Sequence, residues 1–170
     1  MKKIILLILL LIVCSHAQTV MSGNLENYIN IYLSNCPSSK SSDEYQPPPA
    51  STLDGWAQVI EDLVSGNYTS AGLTASSFDY QIVEFTDTTD LESKDYIILE
   101  RIPASTNYWG IFIFNPKAIR QRLVIEAPHP LYDSNTGKES LIVFKISGAR
   151  ALFISGTHRC NSSVFTPCSG

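Results

Sequence analysis

The chain has 170 residues, 44% hydrophobic and only 16% charged, with 12 Lys and Arg against 16 Asp and Glu. That apolar content suits one real core and excludes wholesale disorder. Basic residues do not cluster anywhere after the first few positions, which excludes an electrostatic nucleic-acid binder.

Lys2 and Lys3 precede an unbroken apolar run from Ile4 to Val13, and Ser15-His16-Ala17 follows as a small-x-small site. This order is that of a secretory signal peptide, residues 1–17, and the run is too short to span a bilayer. Nothing later in the chain is apolar enough for a membrane helix. The mature protein is expected to be secreted or periplasmic, with no membrane attachment once the signal is removed. It then keeps ten basic and sixteen acidic residues, a net charge of −6, and the acids are scattered. Such a balance concerns solubility and names no partner. Cys36, Cys160 and Cys168 remain after cleavage. Outside the cytoplasm a Cys160–Cys168 disulfide closing a small loop is expected, with Cys36 odd.

Residues 18–51 read as a poorly ordered Ser/Pro-rich segment. Leu25, Tyr28, Ile29 and Tyr32 fall at helical spacing, but Ser38 to Ser42 and Pro47-Pro48-Pro49 have no apolar period. Residues 52–170 carry the domain. Trp56, Val59, Ile60 and Leu63 predict an amphipathic helix from about Thr52 to Val64. Strand-like runs follow around Tyr80 to Phe85, Tyr96 to Leu99, Trp109 to Phe114 and Leu123 to Ile125. The early ones are joined by connections too short for helical crossovers, so they are expected to be antiparallel.

The last third changes character. Thr136-x-x-Glu139 has the form of a capping box, Leu141 to Ile146 is densely apolar, and Gly148 sits where a helix ends. Ala151 to Ile154 is a further strand. Strand, loop, helix and strand make a βαβ unit with parallel pairing. The expected fold is therefore α/β, a mixed sheet with early antiparallel strands and a C-terminal βαβ unit.

The two histidines of the mature chain follow the two strands of that unit. His129 lies in Ala127-Pro128-His129-Pro130, and His158 in Gly156-Thr157-His158-Arg159. Ligands of open α/β sheets bind outside the carboxyl ends of the strands. Two imidazoles there suit a metal pair or an acid–base pair. Asp133 is a third candidate, as a ligand or as the group that orients His129. With His129 and His158 it would supply the three protein ligands of a catalytic zinc. Arg159 is placed to clamp a substrate carboxylate. Glu126 alternates out of its strand, toward either the site or solvent. The motif of a serine-hydrolase elbow and a phosphate-cradling glycine loop are both missing.

The stretch from Leu123 to Cys160 resembles the zinc-dependent amidohydrolase and carboxypeptidase group that includes N-formylglutamate amidohydrolases and aspartoacylases. The resemblance rests on strand-Ala-Pro-His-Pro, an acidic loop, a helix and a strand ending in Gly-Thr-His-Arg. It implies a phosphorylase/hydrolase-like sheet, His129 as first zinc ligand, Asp133 as the acid and His158 as a later ligand or polar site residue. The same two signatures also fit an exported family of its own. The group uses a late catalytic glutamate, and no acid follows Glu139 here. Together with the odd cysteine, this reads the chain as the N-terminal part of a longer enzyme. The expected function is an exported metal-dependent hydrolase of amide or peptide bonds, acting on a small-molecule or peptide substrate. The alternative is a non-catalytic secreted binding or surface-interaction domain.

Overall fold

The computed structural model describes residues 19–35, 41–131, 133 and 135–163. Residues 1–17, expected to be a signal peptide, lie outside these residues with Cys36 and Cys168, and so does the expected Cys160–Cys168 bridge. Cys160 itself is half-buried and forms no disulfide with a described residue.

Six strands form one mixed sheet: β1 (Thr19–Gly23), β2 (Tyr80–Asp87), β3 (Lys94–Arg101), β4 (Ile111–Phe114), β5 (Arg120–Ala127) and β6 (Ala149–Ile154). Their spatial order is β1-β2-β3-β4-β6-β5. β2, β3, β4 and β6 pair antiparallel in turn, whereas β1 joins β2 and β5 joins β6 in parallel. The α/β mixed sheet and its C-terminal βαβ unit are as the sequence indicates.

Helices cover both faces. α1 (Leu25–Ser34) and α4 (Thr136–Ser147) lie on one side, where Leu25, Ile29, Leu141 and Phe144 meet Val83, Phe85, Ile98 and Leu152. α2 (Leu53–Ser65) and α3 (Tyr68–Ser76) lie on the other, where Val59, Leu63, Ala71 and Ala75 meet Tyr80, Ile82, Ile97 and Leu99. The two-residue period of β2 sends Tyr80 and Ile82 one way and Val83 and Phe85 the other. β3 is central and buried on both faces, which explains its unbroken Tyr96–Leu99 run. Each fully buried Leu, Ile or Phe contributes about 1.5–3 kcal/mol relative to exposure.

Two expectations are corrected. The segment 18–51 is not loose throughout: its first part forms β1 and α1, and Leu25 and Ile29 are fully buried. The strands from β2 to β4 pair antiparallel as expected, and β1, a strand without a counterpart in the sequence reading, adds to β2 in parallel. The capping box does not form. Asn135, in the left-handed region at φ 63°, precedes α4 with no side-chain cap bond. At its far end α4 does stop at Gly148, whose φ of 62° is left-handed. No helix among the described residues is long and apolar enough to cross a membrane.

Candidate functional site

β5 and β6 are parallel neighbours with Ala127 opposite Ile154, so the loops carrying His129 and His158 leave the same sheet edge. Ser155 N–H donates to Ala127 O at 3.0 Å and keeps the two chains together just past the strands. Both imidazoles then line one cleft of about 480 Å³, with Asp43, Tyr45, Pro128 and Arg159.

His129 is half-buried, and its Nδ1 is sealed from solvent without a hydrogen-bond partner. A buried polar nitrogen left unpaired costs about 1–3 kcal/mol. His158 is held differently. Cys160 N–H donates to its Nδ1 at 3.0 Å. A neutral imidazole that accepts at Nδ1 carries its proton on Nε2, which makes Nε2 a donor. A metal needs the lone pair instead. His158 in this arrangement is therefore set up to donate a hydrogen bond, which differs from its expected role as a third zinc ligand.

Asp133 begins the turn that leads into α4. Its N–H reaches His129 O at 3.4 Å, and Thr136 N–H donates to its carbonyl at 3.1 Å. The carboxylate is exposed and stands 3.9 Å from Arg159 Nη1, a loose pair worth little by itself. Among the described residues no group of three His, Cys, Asp or Glu side chains is arranged to hold a metal ion. His129 and Asp133 thus share one turn, and His158 is held separately through its Nδ1. The expected set is not a closed cage.

One wall of the cleft was not foreseen. Asn161, only 6% exposed, stitches residues 41–46 to the loop after β6. Its side chain accepts from Tyr45 N–H at 2.9 Å and donates to Ser42 Oγ at 2.7 Å. Its carbonyl accepts from Asp43 N–H at 3.0 Å, and Cys160 O accepts from Ser41 N–H at 2.7 Å. Hydrogen bonds from Ser163, including its N–H at 2.6 Å, hold the Asp43 carboxyl below its ordinary range. The cleft therefore carries a fixed anion opposite His158 and Arg159. Composition marked this stretch as linker, and only its partners across the molecule reveal its place.

A second hollow of about 250 Å³ continues from the cleft, sharing Tyr45, Pro128 and Thr157 and adding Trp109, Phe112 and Phe153. Glu126 lines this hollow and not the histidine cleft. Trp109 is fixed there by its indole N–H, which donates to Gln46 O at 2.8 Å, and by parallel stacking on Tyr80 at 5.8 Å. No protein-family model, curated protein or solved structure matches this chain.

Proposed function

We propose that this chain is an exported metal-dependent hydrolase of amide or peptide bonds, working in the cleft between the ends of β5 and β6. One observation carries the reading: the imidazoles of His129 and His158 line one cleft beyond the paired ends of β5 and β6, and His158 is oriented there as a donor. Zinc is the proposed metal, with His129 and Asp133 as the residues that would hold it. Bound there, zinc would polarise a carbonyl and generate hydroxide near neutral pH.

The chain's own groups do the rest. His158 Nε2–H donates to the carbonyl oxygen as negative charge develops on it. Arg159, on the exposed lip, takes a substrate carboxylate. The leaving amine would take both its protons from the attacking water, and Asp43 keeps the neighbouring surface anionic and would attract the ammonium so formed. The aromatic hollow beside Pro128 receives the substituent on the far side of the scissile bond.

A second reading, a secreted binding domain without catalysis, is favoured by the lack of a three-residue metal group among the described residues. Amine release separates the two. Zinc-loaded wild type is assayed against N-formyl and N-acetyl amino acids and short peptides. Hydrolysis is expected, with His158→Gln lowering kcat about 10²-fold, as loss of one oxyanion donor does. Arg159→Gln should raise KM for substrates with a free carboxylate and spare the amidated ones. Zinc-loaded wild type that releases no amine from the whole set overturns the enzyme reading.

A further inference from the structure

We propose that the cavity between α1 and the end of β3 is a second binding site, and that it takes an organic ammonium ion on an apolar body. It is separate from the histidine cleft and does not depend on the hydrolase reading. Its volume is about 580 Å³, larger than that cleft, and Met21, Tyr28, Ile31, Tyr32, Glu100 and Arg101 line it.

The central feature is Glu100, a carboxyl group only 9% exposed. Tyr28 Oη donates to its Oε1 at 2.8 Å, and Gln81 Nε2 donates to the same oxygen at 2.9 Å. Oε2 receives neither bond. Glu100 is itself one of the residues that line the cavity. A buried carboxylate normally has a cationic partner. Among the described residues none forms an ion pair with Glu100.

Arg101 is next in the chain, but its guanidinium is committed elsewhere. It donates to Ser105 O at 2.6 Å and Asn35 O at 3.3 Å, and lies 5.1 Å above the Tyr108 ring. Burial pushes the Glu100 carboxyl above its ordinary value, despite the opposing bonds from Tyr28 and Gln81 and the smaller pull of the Arg101 charge. Burial and the adjacent Glu100 both push the Tyr28 phenol up, so it stays a donor.

The cavity thus offers a carboxyl group with no ion-pair partner among the described residues, which the Arg101 charge compensates only in part. The two tyrosine rings suit a cation, whose attraction to aromatic faces adds to the ion pair. Met21 and Ile31, 40% and 63% exposed, give the mouth an apolar rim for the ligand's body. An anion is repelled by Glu100. A neutral alcohol can bond Oε2 but leaves the charge uncompensated.

The test is a ¹H–¹⁵N NMR titration of the full chain with phenethylammonium, the neutral 3-phenylpropanol and the anionic 3-phenylpropionate. Phenethylammonium is expected to shift the amides of Tyr28, Ile31, Tyr32 and Glu100. The alcohol should bind about tenfold more weakly or worse, and the anion should leave these amides unmoved. Glu100→Gln keeps an oxygen for Tyr28 and Gln81 and should lose at least about tenfold in ammonium affinity. Ile31→Lys, at an exposed helical position, places a fixed ammonium at the mouth and should lose the binding without touching the core. Equal affinity for alcohol and ammonium, unchanged binding in both variants, or no shift at the ammonium's solubility limit would overturn the proposal.

Discussion

Gly156→Ala is expected to cost this protein about 3 kcal/mol or more and to disturb the candidate site at the same time. A Cβ on Gly156 would lie 2.5 Å from Tyr108 O and 2.7 Å from Gly110 N. These are backbone atoms, so no side-chain rotation relieves the clash. Gly110 mirrors the constraint: its φ is +117°, and a Cβ there would lie 2.5 Å from Ile154 O. The segments entering β4 and leaving β6 are pressed backbone to backbone, just beyond the pair Ile111–Ile154. Making room means separating these strands at the edge from which His158 emerges. The loss is large against a typical total stability of about 5–15 kcal/mol. Gly66→Ala is the control, because φ there is +80° but nothing lies within 4 Å of the new methyl. It should cost only the left-handed strain, about 1–2 kcal/mol. Urea unfolding measures both, and a Gly156→Ala variant no less stable than Gly66→Ala contradicts the packing argument.

Asp87→Ala should cost about 3 kcal/mol, because it leaves the buried Lys145 ammonium with only the longer contact to the half-exposed Glu26 at 3.4 Å. Asp87 is 1% exposed, and its Oδ2 lies 2.9 Å from Lys145 Nζ, whose side chain is 10% exposed. Its Oδ1 accepts from Thr89 Oγ1 at 2.7 Å, Thr89 N–H at 3.2 Å and Leu25 N–H at 3.4 Å. One carboxylate thus joins α1, α4 and the end of β2. Burial by itself would raise the Asp87 pKa, but the bonds from Lys145 and Thr89 outweigh it and hold the group below its ordinary value. For Lys145 burial acts downward, and Asp87 and Glu26 outweigh it to raise the ammonium.

The two shifts fix the pH dependence. The Asp87 contribution is fully present above the unfolded carboxylate pKa and is lost as pH falls through the lower folded value. The Lys145 contribution is present below the unfolded lysine pKa and is lost as pH rises through the higher folded value. Stability should therefore fall on the acid side from about pH 4 downward in the wild type, and this limb should flatten in Asp87→Ala. Unfolding midpoints measured across the acid range check it. Parallel acid limbs in the two proteins would show that Asp87 does not carry the dependence.

The parts of this fold that the sequence made legible are those in which one residue pattern serves one element. The helical spacing of Trp56, Val59, Ile60 and Leu63 gives α2, and the β5–α4–β6 unit follows from apolar runs closed by Gly148 and Gly156. From that unit the shared edge of His129 and His158 follows directly. α3 escaped because it buries only Ala71 and Ala75, small residues with no apolar stripe. β1 escaped because it is an edge strand with Val20 74% exposed, defined by its pairing with Val83 to Asp87. The cleft wall formed by residues 41–46 is held by Asn161, more than a hundred positions away, through bonds that leave no trace in composition. The same is true of Tyr28 and Glu100. The donor orientation of His158 depends on one backbone N–H two residues on, a detail of loop conformation that residue types do not encode.

The most direct test of the account is the zinc content of the purified chain after dialysis, measured by mass spectrometry beside His129→Ala and His158→Gln. About one zinc per chain is expected in the wild type, with none in His129→Ala and an unchanged value in His158→Gln. A wild-type chain that retains no zinc contradicts the proposed metal site and leaves the binding-domain reading in its place.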